Sequence, residues 1–139
     1  MHEAILRNFL LGTTDAITLR SDLAGTVMHT SRDVLCQHIV PMATEFEVTP
    51  THLIRLCEAV FAGVVAPADL TVIAFCLLAS DRFHWDADTP EGKLLDETLN
   101  DWDSPEINFV LNSQTVAKFR HLLLTGESIF TPEDRAKQN

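Results

Sequence analysis

The sequence predicts an all-α fold, a compact bundle of about six to seven helices with room for one short strand pair. Three observations predict it: apolar residues recur every three or four positions, four of the five glycines follow such segments, and prolines stand where helices would begin. The composition of the 139 residues, 46% apolar and 22% charged, is that of a globular chain. We expect one helical domain over residues 1–126 and a polar tail over 127–139.

The helix ends follow from glycine and proline. Glycine ends a helix well because it takes positive φ without a Cβ penalty, and proline suits the first turn because the donor it lacks is unpaired there. The four glycines are Gly12, Gly25, Gly63 and Gly126, and the prolines include Pro50, Pro67, Pro90 and Pro132. The predicted helices span residues 3–11, 15–24, 31–45, 50–62, 67–80, 90–103 and 113–125.

The apolar stripes support these segments, and the third one is the least regular. Leu53, Leu56, Cys57, Val60 and Phe61 follow helical spacing, as do Leu95, Leu99 and Trp102. The helix at 67–80 is apolar on nearly all sides, which predicts a central position. Pro41 lies inside the third segment, so that helix either kinks near His38 or splits in two. Residues 27–29 and 107–111 are the candidates for a strand pair.

Residues 59–79 are apolar enough and long enough to raise the possibility of a membrane span. Pro67 and Asp69 lie at the centre of this segment, and Gly63 comes just before them. These residues favour a turn between two buried helices, with Asp69 in the first turn of the second helix. The N-terminus has no signal-peptide pattern, and three cysteines without a C-x-x-C pair favour reduced thiols in a cytoplasmic protein.

The charge balance restricts the class of partner. Ten basic and 20 acidic residues give a net charge of −10, which disfavours nucleic acid and anionic membrane surfaces because both are negative. A basic protein is the favoured partner. Residues 81–106 hold nine acidic and two basic residues, a local balance of −7.

This acidic stretch is the candidate partner-binding site. A charge run is often only a solvated helix face, yet here Glu97 and Asp101 are like charges four residues apart, an arrangement that a stable helix does not favour. Clustered charge of one sign does favour the steering of a cationic partner. The predicted binding residues are Trp85, Asp86, Asp88, Glu91, Asp96, Glu97, Asp101, Asp103 and Glu106, whereas Trp102 has the spacing of a core residue.

The residues give no catalytic or metal site to nominate. Asp86, Asp88 and Glu97 match positions 1, 3 and 12 of a calcium-binding loop, but Pro90 and Glu91 stand where a ligand and the required glycine belong. No nucleophile elbow, phosphate-binding glycine loop, zinc motif or dinucleotide fingerprint occurs. We therefore expect no enzyme activity, no cofactor and no metal.

The C-terminal half resembles a known class of bacterial proteins. Residues 74–86, AFCLLASDRFHWD, and residues 101–108, DWDSPEIN, resemble a pattern in small acidic immunity proteins that are encoded beside polymorphic toxins. This resemblance implies a cytoplasmic protein that binds a toxin domain, often a basic nuclease, and blocks it. It carries over no individual binding residue.

Three classes of function follow from these observations. The leading hypothesis is an immunity-type inhibitor of a basic toxin domain. The alternative is a helical adaptor or self-associating protein that makes contact through an apolar face. An enzyme or small-ligand protein is the third class. The oligomeric state stays open.

Overall fold

The computed structural model describes residues 1–24 and 39–136, and within them six α-helices and two short strands share one apolar core. Six predicted helices are confirmed to within two residues at each end. The elements are α1 (Glu3–Leu11), α2 (Ala16–Ala24), β1 (Phe46–Glu47), α3 (Pro50–Phe61), α4 (Asp69–Ala79), β2 (Phe83–His84), α5 (Pro90–Asp103), α6 (Ser113–Thr125) and a 3-10 turn at Pro132–Asp134.

Local side-chain chemistry sets the helix ends. At the start of α6, the Asn112 carboxamide accepts from the backbone N–H of Thr115, and the Thr115 hydroxyl accepts from the backbone N–H of Asn112. This reciprocal pair satisfies two donors that would otherwise lack partners. At the other end, Gly126 has φ +78° and donates its N–H to the carbonyl of Leu122. The helix therefore stops where the glycine allows a left-handed residue.

The apolar stretch 59–79 is two helices joined by a turn, as predicted. Helix α3 ends at Phe61 and α4 begins at Asp69, whose carboxylate accepts from the backbone N–H of Ala66 at 2.9 Å. The predicted place of Asp69 in the first turn of α4 is confirmed. Among the described residues, no helix has the length and apolar character needed to cross a membrane.

The predicted helix over 31–45 is wrong where it can be checked. Residues 39–45 are not helical, and residues 31–38, with the expected kink near His38, lie outside the described residues. Val40 instead forms a parallel bridge with His2 at the N-terminus. Its N–H donates to the carbonyl of Met1, and its carbonyl accepts from the backbone N–H of Glu3. Pro41 explains this, because a residue before proline is driven toward extended backbone.

The strand pair also lies at a different place from the one predicted. Strands β1 and β2 pair in parallel, with Phe46 opposite Phe83 and Glu47 opposite His84. The candidate at 27–29 lies outside the described residues, as does Gly25, and the candidate at 107–111 forms only an isolated bridge from Phe109 to Arg135.

Helix α4 packs mainly on α5, and α3 packs mainly on α6. Trp102 of α5 and Phe119 of α6 are fully buried, with ring centroids 5.9 Å apart in an edge-to-face contact. The core position predicted for Trp102 is confirmed. The apolar face of α5 thus anchors this helix and leaves its acidic side chains toward the surface.

The segment after Gly126 folds back onto the helices. Phe130 stacks on Phe109 with ring centroids 4.3 Å apart and lies 4.7 Å from Phe119. The Lys118 ammonium donates to the Asp134 carboxylate at 2.6 Å. Residues 127–136, which the sequence pattern placed in a polar tail, therefore contribute aromatic packing to the domain.

Candidate partner-binding site

The loop between β2 and α5 is held by hydrogen bonds of its own side chains. The Asp86 carboxylate accepts from the backbone N–H of Asp88, and the Asp86 carbonyl accepts from the Thr89 hydroxyl at 2.8 Å. The Thr89 hydroxyl oxygen also accepts from the backbone N–H of Gly92, so Thr89 caps α5. Pro90 follows as the first helical residue. The loop therefore enters the helix in one defined conformation.

Gly92 is required by a close backbone approach. A Cβ atom at this position would lie 1.7 Å from the carbonyl oxygen of Asp86, far inside van der Waals contact. The first turn of α5 can therefore touch the loop only because residue 92 has no side chain. This contact fixes where Trp85 and Asp86 stand relative to the helix.

Trp85 is half-buried and bound to α5. Its indole N–H donates to the Asp96 carboxylate at 3.1 Å, and one part of the side chain packs on the core. The Asn100 carboxamide donates to the backbone carbonyl of Asp96 at 2.8 Å. Asp96 thus serves as an acceptor that orients the indole, rather than as a freely exposed charge.

The predicted acidic residues form a band along α5 with two distinct ends. Asp86, Asp88 and Glu91 lie at its N-terminal end, and Asp103 lies about 18 Å from Glu91 along the helix axis, at 1.5 Å per residue. Asp86, Asp88, Glu91, Glu97 and Glu106 are exposed, whereas Asp96, Asp101 and Asp103 are half-buried. The predicted residues follow one another along the loop and the helix, but at 3.6 residues per turn the acids of α5 point to more than one side of it and do not form one cluster.

Few of these charges are neutralised. Asp86, Asp88, Glu91 and Glu97 form no ion pair within residues 1–24 and 39–136, where the pairs of Asp22 and Asp134 lie elsewhere. Helix α5 has an acid in its first turn and no base in its last turn. Acids near the C-terminal end meet the negative end of the helix dipole, which opposes them.

Asp101 shows the effect of this placement. Its pKa is raised to about 6, mainly by burial and also by the nearby Glu97 carboxylate, while the Arg135 guanidinium lowers it in part. An aspartate with this pKa is a costly residue in the folded state near neutral pH, since part of its solvation is lost without a full replacement.

A cleft of about 790 Å³ opens at the N-terminal end of the band. It lies where both parallel strands end and where α3 and α5 begin. Its lining contains Trp85, Asp86 and Glu91 from the predicted set, together with residues that the sequence pattern did not single out. These are Glu47, Val48, Thr49, Pro50, His84, Thr89 and Gly92.

Four of the ten lining residues come from residues 47–50, which are distant in the sequence from the β2–α5 loop. The backbone N–H of Val48 donates to the carbonyl of His84 at 2.9 Å, which places Glu47 next to the β2–α5 loop. The Thr-Pro pairs at 49–50 and 89–90 were recognisable as helix starts. Their meeting in space depends on the β1–β2 pairing, for which the sequence has no strong signal.

Other titratable groups do not suggest chemistry at this site. Burial raises the pKa of the Cys57 thiol to about 12, so it stays protonated and unreactive. Burial lowers the pKa of His52, whose Nδ1 accepts from the backbone N–H of Thr49. In the part of the chain that the structure describes, no three His, Cys, Asp or Glu residues are grouped so that they could hold a metal ion.

No protein-family model, no curated protein and no solved structure matches this chain. The site is therefore understood from its own geometry: a rigid acidic loop, a half-buried tryptophan, an acidic helix and a cleft between two helix starts.

Proposed function

We propose that this chain is a cytoplasmic binding protein that recognises a basic protein domain through the acidic band of α5, as an immunity-type inhibitor does. The observation that carries the proposal is the poor neutralisation of the band. Seven of the ten net negative charges come from residues 81–106, and four exposed carboxylates there lack ion pairs within the described residues.

Stability alone does not favour the C-terminal part of the band. The helix dipole opposes the half-buried Asp101 and Asp103 in the last turn of α5, whereas it favours Glu91 in the first turn. The raised pKa of Asp101 shows that burial and Glu97 act against its ionised form. A cationic surface placed against α5 would oppose these unfavourable interactions, because it would bring additional positive charge close to the carboxylates.

Exposed acids that lie outside the cleft provide the test. Reversal of Asp88, Glu97 and Glu106 to Lys changes the charge by +6 at side chains that the solvent reaches. We expect association with a basic domain encoded by the neighbouring gene to slow at least tenfold at low salt, with a smaller difference at high salt. Stopped-flow kinetics measures this, and co-expression tests whether the chain protects cells from that domain.

A matched control separates the effect of charge within the band from the effect of the net charge of the whole chain. Reversal of Glu45, Glu58 and Glu127 to Lys makes the same +6 change at exposed positions elsewhere. This control should slow association by less than threefold, since long-range attraction depends on charge near the contact. Equal slowing by both triple variants would contradict a binding role for the band, and so would an unchanged rate in the first variant.

One observation favours the second candidate, a contact through an apolar face. Ile107 is 59% exposed and Val110 is 44% exposed, and Val110 lines a groove of about 490 Å³ together with Ala68 and Leu111. A second copy of this chain could cover it, although a net charge of −10 on each copy opposes self-association. Light scattering after size-exclusion chromatography tests for self-association. A dimer that dissociates in the Ile107→Ser and Val110→Ser variants would support the second candidate.

A further inference from the structure

The cleft between β1, β2, α3 and α5 is large enough to admit a side chain of a partner, and its lining favours a cationic one. Its volume of about 790 Å³ falls in the range of ligand pockets. Three acidic residues line it, Glu47, Asp86 and Glu91, and all three are exposed. None of them forms an ion pair within the described part of the chain.

The two helix starts do not turn this cleft into an anion site. Each helix N-terminus is worth about +0.5 of an elementary charge, or about +1 for both, against −3 from the carboxylates. Two of the backbone donors there are also already used: the Thr49 N–H donates to the His52 imidazole, and the Gly92 N–H donates to the Thr89 hydroxyl. The cleft is therefore negative overall and selects a cation.

The apolar part of the lining narrows the kind of cation. Val48 is buried, Pro50 is half-buried, and both line the cleft together with the half-buried Trp85. The hydrogen bond to Asp96 orients that indole before any ligand arrives. Arginine fits such a lining, because its aliphatic stem packs on apolar surface while its planar guanidinium stacks on aromatic rings and pairs with carboxylates.

We propose that the cleft is the pocket for an arginine side chain of the basic partner. This inference rests on the proposed function, since it assigns the partner's arginine to a defined place at the N-terminal end of the band. The bound guanidinium would lie against Trp85 and pair with Glu47 of β1 and Glu91 of α5. Preorganisation of the indole reduces the entropy lost on binding.

The two tryptophans give a direct readout in the free protein. Trp85 lines the cleft and Trp102 is fully buried in the core, so the two indole N–H signals in a ¹H–¹⁵N spectrum serve as reporter and internal control. Trp85→Phe assigns the reporter signal. The probes are the N-acetyl amides of arginine, lysine and citrulline at constant ionic strength, because citrulline keeps the shape of arginine without its charge.

We expect arginine to shift the Trp85 signal saturably and to leave the Trp102 signal in place. Lysine should bind at least threefold more weakly, and citrulline should give no saturable shift. The variant Glu47→Gln/Glu91→Gln should weaken arginine binding at least fivefold. The matched variant Asp88→Asn/Glu97→Gln removes the same charge outside the cleft and should change it by less than twofold.

Several results would overturn the arginine pocket. These are the absence of a saturable Trp85 shift, an equal response to citrulline or lysine, or equal weakening in the two double variants. If one of these results is found and a basic partner still associates with the chain, the arginine pocket is refuted but the proposed role of the acidic band is not. If arginine binds as expected while reversal of Asp88, Glu97 and Glu106 leaves association unchanged, the proposed function fails and the pocket stands.

Discussion

The ionisation of Asp101 should make the folded state less stable as the pH rises from about 4 to 6. Its pKa is raised to about 6 in the folded protein, and an unfolded aspartate has a pKa near 3.9. Between these values the folded state binds one proton more than the unfolded state, so the free energy of unfolding falls with increasing pH. Asp101→Asn removes this ionisation and should abolish that part of the pH dependence.

The magnitude follows from the difference between the two pKa values. Two pH units correspond to about 3 kcal/mol, since one unit is worth about 1.4 kcal/mol. Asp101 is half-buried, and the water that still reaches its carboxylate reduces the effect to about 1–2 kcal/mol. At pH 7 the Asp101→Asn variant should therefore be more stable than the natural chain by that amount, and at pH 4 the difference should nearly vanish.

Urea unfolding followed by circular dichroism at pH 4, 5, 6 and 7 measures this difference. Comparison of the two proteins cancels the contributions of Asp15 and Asp134. The pKa values of these two carboxyl groups are lowered, so their contribution to the free energy of unfolding is lost only at more acidic pH. Glu97→Gln provides a second measurement, because loss of its charge should lower the pKa of Asp101 and recover part of the stability. Parallel pH profiles for the natural chain and Asp101→Asn would refute the reasoning.

Three further predictions concern stability. Gly92→Ala should lower the free energy of unfolding by at least about 2 kcal/mol, because its Cβ would lie 1.7 Å from the Asp86 carbonyl oxygen. Gly126→Ala should lower it by about 1 kcal/mol in the same chemical unfolding assay, because φ is +78° there while the space around it is open. Phe130→Ala should cost about 2–3 kcal/mol in the same assay through lost aromatic packing, and no loss would mean that the segment contributes nothing. Asp69→Asn should cost less than about 1 kcal/mol, because the amide oxygen still accepts a hydrogen bond; complete unfolding would contradict this.

The helices could be predicted from the sequence because their signals are local. In α6, a cap at Asn112, its partner Thr115 and the terminal Gly126 all lie within 15 residues. In α5, Thr89 and Pro90 mark the start, and apolar residues at helical spacing mark the buried face. Such signals need no knowledge of the rest of the chain. The acidic band was visible for the same reason, since it is one continuous stretch.

The cleft could not be predicted because a long-range pairing builds it. Strands β1 and β2 have two residues each and are 35 residues apart, too short for alternation to show. Without this pairing, Glu47 and Pro50 have no reason to be placed beside Trp85. The packing of Phe130 on the core was missed for another reason. Ile129 and Phe130 are the two apolar neighbours in an otherwise polar segment, and this pair was the one signal that the tail is anchored.

Steering and contact should be separable on this surface because they act over different distances. Steering depends on the summed charge of the band and falls off over a Debye length of about 8 Å at physiological salt. Glu91 and Asp103 are about 18 Å apart along α5, so charges at the C-terminal end are screened from a cation in the cleft. Changes at Glu106, beyond that end, should therefore act on the association rate, whereas changes at Glu47 and Glu91 should act mainly on the dissociation rate, because truncation of a paired contact shortens the life of the complex.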